Sequence, residues 1–206
     1  MNSFGTRSDS ELLRLSQGGE EGAFLALYER LKYPIFRYVF YMTNSKTAAE
    51  EVTQELFICL LKEGDRYREE QGDVAAFAFG IARNLIRRMK RRERMYEALP
   101  DDETLIRPSG NIVSEPEALP GQVIRQQLLE RIRSAIAALP DHYRQAIVLC
   151  DLCEFSYAEA ALRLNCAVGT IRSRLNRGHA LLARRLKQAG KPRAELPTAG
   201  TEECLI

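Results

Sequence analysis

A short capped helix, a three-residue break and a longer helix with opposed apolar and basic sides lie between Ser156 and Leu186. No other feature constrains the fold as much. Ser156 and Glu159 form a capping box, and Tyr157, Ala160, Ala161 and Leu164 give the first helix one apolar face. Asn165 to Ala167 is the turn. The second helix restarts near Val168, with Val168, Ile171, Leu175, Leu182 and Leu186 at helical spacing and Arg172, Ser173, Asn176 and Arg177 on the other side. This is a helix-turn-helix whose second helix suits a DNA major groove. Arginine reads guanine edges bidentately and holds phosphates, and the first turns of such a helix reach base edges. An ordinary helical hairpin with a solvated basic face is the plainer alternative, but capping, turn, small-residue crossing and basic face all coincide here.

The rest of the chain also reads as helices. Ser8 with Glu11 caps a short helix carrying Leu12, Leu13 and Leu15, closed by Gly18-Gly19. A longer helix is predicted from Glu20 to about Met42, kinked or split at Pro34. Its aromatics Tyr33, Phe36, Tyr38, Phe40 and Tyr41 could stack on bases, but their helical spacing favours the core. Thr47 with Glu50 is a second capping box, opening a helix from Ala48 to about Lys62. Val52, Leu56, Cys59 and Leu60 share its inner face, and Glu51, Gln54 and Glu55 its outer one. After a polar loop from Asp65 to Gly72, a helix from Asp73 to about Arg94 turns Val74, Phe77, Ile81 and Leu85 inward and Arg83, Asn84, Arg87 and Arg91 outward.

Pro100, Pro108, Pro116 and Pro120 and an acidic cluster then mark a linker. Two helices, Gln122 to Leu139 and His142 to Leu149, support the helix-turn-helix, and a polar segment with Pro192 and Pro197 is expected to fray. The expected fold class is all-α, with two small helical domains at 8–97 and 122–187, an acidic flexible linker at 98–121 and a tail at 188–206.

Net charge is only +2, yet it is arranged in blocks. Arg83, Arg87, Arg88, Lys90, Arg91, Arg92 and Arg94 face one acid, Glu93. From Met95 to Pro120 the sign reverses, and the last helix is basic again. Two cationic surfaces around an acidic connector imply two sites on one polyanion. No charged and apolar leader opens the chain and no apolar run matches a bilayer, so a cytoplasmic protein is expected. Five cysteines, an odd number, argue against a disulfide framework. Cys150 and Cys153 have C-x2-C spacing, but Cys166 and His179 follow too far apart to complete a zinc site, so small buried cysteines, no metal and no cofactor are expected. A hydrolase lacks support, since His142 and His179 are the only histidines and no nucleophile motif accompanies them. A receiver-type regulator on an operator is the rival DNA-binding class. Nothing before residue 95 alternates strand and helix as a receiver would.

Three motifs together resemble the extracytoplasmic-function (ECF) sigma factors of the sigma-70 superfamily. They are Ala49-Glu50-Glu51-Val52-Thr53-Gln54-Glu55-Leu56-Phe57, Phe79-Gly80-Ile81-Ala82-Arg83-Asn84-Leu85 and Val168-Gly169-Thr170-Ile171-Arg172-Ser173-Arg174-Leu175. The resemblance, spanning about Ser8 to Leu186, implies a non-enzymatic subunit that binds core RNA polymerase, directs it to promoter DNA and helps open the duplex. It implies polymerase contacts at Glu51, Gln54 and Glu55, and capture of the minus-ten element by Tyr67, Arg83, Asn84, Arg87 and Arg91. Minus-thirty-five recognition would fall to Thr170, Arg172, Ser173, Asn176 and Arg177, with the helices before them resting on the polymerase flap. An anti-sigma factor is the implied regulatory partner, and the linker would thread polymerase channels. The sequence departs from the family pattern at Phe77, often tryptophan, at Arg88, often aspartate, and at Ala160, often branched. Arg88 is expected to add positive charge to the melting helix, and Ala160 to weaken packing within the helix-turn-helix.

Overall fold

The computed structural model describes residues 4–97 and 120–189. The expected linker falls largely, and the tail with Cys204 almost wholly, outside the described residues. Within them the chain is all-α, with helices α1 (Asp9–Gln17), α2 (Glu21–Thr43), α3 (Lys46–Glu63), α4 (Val74–Glu97), α5 (Pro120–Ala137), α6 (Asp141–Ile147), α7 (Tyr157–Leu164) and α8 (Val168–Ala189). Two 3-10 turns, Gly64–Arg66 and Glu69–Gln71, join α3 to α4, and a single π turn, Val148–Leu152, extends α6.

The caps explain most boundaries. Ser8 accepts a hydrogen bond from the Glu11 amide at the start of α1. Helix α3 departs from expectation, because Ser45 rather than Thr47 is its cap, accepting from the Ala48 amide. A hydroxyl two residues earlier won. Nor does Pro34 split α2, which runs unbroken to Thr43 and stops at Asn44 in the left-handed region, φ 56°. Proline removes one donor, and the surrounding packing of a 23-residue helix carries the chain through.

Leu12, Leu27, Ile35, Tyr38, Leu56 and Leu60 fill the centre of the first four helices, and Leu139, Ile147, Leu149 and Ile171 that of the last four. The buried residues of both halves join in one apolar cluster. Of the α2 aromatics only Tyr38 is fully buried, while Tyr33 is exposed and Phe36, Phe40 and Tyr41 lie at the margin. On α4 the buried stripe is Val74, Ala75, Ala78, Phe79, Ala82, Leu85 and Ile86, so Phe77 and Ile81 sit at its edge rather than at its centre. Cys59 is likewise only partly buried. At the other end, α8 crosses α6 closely at Gly178. A Cβ there would lie 2.9 Å from Ile147 Cδ1.

Candidate nucleic-acid interface

The helix-turn-helix is built as its residues require. The hydroxyl of Ser156 accepts from the Glu159 amide and the Glu159 carboxylate accepts from the Ser156 amide, completing the capping box. Hydrogen bonds from Ser156 hold the Glu159 carboxyl below its ordinary value. Asn165 closes α7 in the left-handed region, φ 49°, and α8 begins three residues later at Val168. Ile171 and Leu175 are buried, as are Ala160, Ala161 and Leu164 of α7. Ala160 is fully buried. Tyr157 and Val168, expected on the apolar face, are exposed at the mouth of the motif. Arg172, Ser173, Asn176 and Arg177 are all exposed along α8. Thr170 is half-buried, and its carbonyl accepts from the Ser173 hydroxyl at 3.0 Å.

Helix α4 carries the second basic face. Asn84, Arg87 and Arg91 are exposed, whereas Arg83 is half-buried and donates to the Leu164 carbonyl of α7 at 3.1 Å. Tyr67, in the loop before α4, packs on Phe77 with ring centroids 5.8 Å apart. Burial, with Glu69 and Asp73 adding to it, pushes its phenol above the ordinary value, so the ring is a neutral stacking surface. Helix α1 fastens this loop. Gln17 donates to Asp65 at 3.2 Å and Ser10 to Glu69 at 3.2 Å. Arg88 does not lie free on the basic face as expected, because its guanidinium pairs with Glu55 of α3. A carboxylate one helix away, invisible to a reading of α4 alone, takes up that charge.

On α3, Glu51 and Gln54 are exposed and Glu55 is half-exposed beside Arg88. Ile58 and Leu61 continue the same outer face as exposed apolar residues. Sequence reasoning missed them, although the 51, 54, 58, 61 spacing is the signal that would have found them. Cys150 and Cys153 are free and partly buried near the π turn, and burial pushes both thiols up to about 11. His179 turns instead to Asp151, with Nε2 2.5 Å from Oδ2. No described helix is long and apolar enough to cross a membrane.

Two basic helical faces on α4 and α8, with an acidic, partly apolar outer face on α3, are the surfaces expected of a protein that binds nucleic acid. Comparison with known proteins narrows the class. Residues 27–95 match the family Sigma-70 region 2 and residues 129–182 match Sigma-70, region 4. The chain is 31% identical over 144 residues to the ECF RNA polymerase sigma factor EcfG of Rhodopseudomonas palustris, covering 69% of this chain and 73% of the relative. It is 32% identical over 148 residues to the ECF RNA polymerase sigma factor SigE of Mycolicibacterium smegmatis. That match covers 70% of this chain but spans only about half, 54%, of the longer relative. Among solved structures, the sigma factor RpoE of Bartonella quintana, in complex with the anti-sigma factor NepR, shares the fold with a TM-score of 0.57 at 23% identity, covering 80% of this chain and 96% of that one. The chain belongs to the ECF sigma factors of the sigma-70 family.

Proposed function

We propose that this chain binds core RNA polymerase in the cytoplasm, gives it promoter specificity and promotes opening of the duplex. The observation that carries this reading is the pairing, in one chain, of an exposed major-groove face on α8 with a second basic face on α4 beside a stacking loop. Arg172, Ser173, Asn176 and Arg177, with Thr170 behind them, read the minus-thirty-five element as duplex. Asn84 takes the edge of an unpaired minus-ten base, Tyr67 offers a ring to its face, and Arg83, Arg87 and Arg91 hold the phosphates. Glu51, Gln54 and Glu55, with Ile58 and Leu61, dock on a basic and apolar helix of polymerase. The chain binds and orients, and bond formation belongs to polymerase. The functional units are 8–97 and 122–187, with 98–121 between them. An anti-sigma partner belongs to the same reading, because the Bartonella relative was solved bound to one.

Transcription from a pool of promoter fragments by purified core polymerase, with and without the chain, tests this. New start sites appearing only with the chain are expected. Polymerase binding and initiation both absent from a folded sample would leave an operator-binding regulator instead.

A further inference from the structure

Residues 4–9 lie against α2 before α1 begins, and α2 carries two features that receive them. The Phe4 ring sits on Gly22, where a Cβ would stand 2.5 Å from Phe4 Cε2, so the ring occupies the space a side chain at that position would take. Two turns further along α2, Arg30 holds four acceptors on this short segment. Its Nη1 donates to the Arg7 carbonyl at 2.8 Å and to the Asp9 carboxylate at 2.6 Å, and its Nη2 to the carbonyls of Gly5 at 2.7 Å and Phe4 at 3.3 Å. Arg7 in turn lies over the Phe4 ring at 5.6 Å and pairs with Glu11 at 2.9 Å.

The segment leads straight into α1, whose nine residues are too few to hold a helix in place by its own stability. Leu12 and Leu13 anchor its buried side. Its polar side reaches the loop between α3 and α4, where Ser10 donates to Glu69, Gln17 donates to Asp65, and Gln17 and Leu13 lie against Gly64. These contacts grip the two 3-10 turns, Gly64–Arg66 and Glu69–Gln71, that flank Tyr67. Asp9, the partner of Arg30, is itself near the ring: after burial, Glu69 and Asp73, its charge also pushes the Tyr67 phenol up.

We infer that Arg30 is a positioning residue for the minus-ten loop: by tying residues 4–9 to α2 it sets where α1 stands, and α1 sets where the Tyr67 ring is presented. The use on DNA rests on the function proposed above, but the tether from Arg30 to the loop does not. A guanidinium suits the task because its acceptors lie along both arms of a rigid fork, whereas a lysine ammonium gathers its three donors at one point. Arg30 also neutralises Asp9, an acid beside the ring that would otherwise repel the phosphates of an approaching strand. The residues of the tether lie outside the basic face of α4, so they place the ring without adding charge to the DNA contact.

Hydrogen exchange of the full chain, wild type and Arg30→Lys, tests the tether without DNA, with circular dichroism reporting helix content. The variant keeps the charge and loses the fork. Amides of residues 64–72 should exchange about tenfold faster in it, while those of α2, α3 and α8 keep their protection. Unchanged exchange in 64–72 overturns the inference, and so does an equal rise across all helices, which would make Arg30 a general stabiliser. If Arg30→Lys loses helix, Phe4→Ala decides: it empties the place at Gly22, and exchange in 64–72 that does not rise overturns the proposal.

The second arm uses the chain assembled with core polymerase and a single-stranded oligonucleotide carrying the minus-ten element of a promoter found in the transcription pool. Arg30→Lys should weaken its capture about threefold and leave binding of a minus-thirty-five duplex unchanged. Ser10→Ala/Gln17→Ala should weaken capture by a similar factor, and the triple variant no further, because both changes cut one connection. Losses that multiply in the triple variant, or capture unaffected by Arg30→Lys, overturn the positioning role. Faster exchange in 64–72 with no capture by either chain leaves the tether standing and removes the minus-ten function given to Tyr67.

Discussion

Helices α4 and α8 both present arginine-rich faces, but they differ in how much of that charge is already spoken for. Along α8, Arg172, Ser173, Asn176 and Arg177 stand exposed. On α4, Arg83 holds an α7 carbonyl, Arg88 a carboxylate of α3 and Lys90 a carboxylate of α6, leaving Asn84, Arg87, Arg91, Arg92 and Arg94 open to solvent. Counting basic residues overstates the free charge of α4 more than that of α8, on which Arg174 reaches the Cys166 sulfur. Charge in sequence is a capacity, and only the fold says how much of it is free.

Replacing both Arg172 and Arg177 by alanine strikes the uncommitted face. It should weaken minus-thirty-five binding about 30-fold or more while polymerase affinity stays unchanged, read by titration of a duplex fragment. The α4 face offers a sharper contrast. Arg87→Ala should weaken minus-ten binding about fivefold, but Arg83→Ala only about twofold, because losing its DNA contact is offset by release of Leu164. Equal losses in the two variants would break the contrast between free and committed arginines. Arg88→Ala should change DNA affinity less than twofold and stability by less than about 1 kcal/mol, since an exposed ion pair contributes little. Thermal unfolding and the same titration check both.

The smallest effect concerns pH. Burial pushes the Asp141 carboxyl up, but the Lys90 hydrogen bond and charge, with Arg144, bring it below its ordinary value. A carboxyl lowered in the folded state contributes at neutral pH and loses that contribution as pH falls through the lowered value, below about 3.9. Scattering at pH 7 and pH 3.5 should therefore show a slight loosening at the lower value, abolished in Asp141→Asn.

The helices were legible in the sequence because their signals are local. Ser8, Ser156 and the periodic apolar residues of α1, α7 and α8 each act within a turn or two of themselves. Cap choice was less legible where polar residues crowd together, as at Ser45 and Thr47, since either hydroxyl satisfies the same chemistry. The α4 stripe was read one notch off. Periodicity of the large residues points to Phe77 and Ile81, whereas the buried side includes Ala75, Ala78 and Ala82, whose small side chains carry little hydrophobic signal. The pairing of Arg88 with Glu55 and the stack of Arg163 on Phe155 and Phe79 were not legible at all. Arg88 and Glu55 are 33 positions apart and Phe79 lies 84 positions from Arg163, so tertiary packing joins them with no sequence period to mark the contact.

The crossing at Gly178 gives α8 the mechanics of a pivoted beam. Ten residues separate this point from Val168, about 15 Å of helix. A tilt of about 5° at the pivot would swing the first turn by about 1.3 Å, enough to move a side chain out of hydrogen-bonding range of a base edge. A single added methyl at Gly178, 2.9 Å from Ile147, would act through that arm. The direction of the Val168 end of α8 is thus set a helix-length away, by a hydrogen atom where any other residue type carries a carbon.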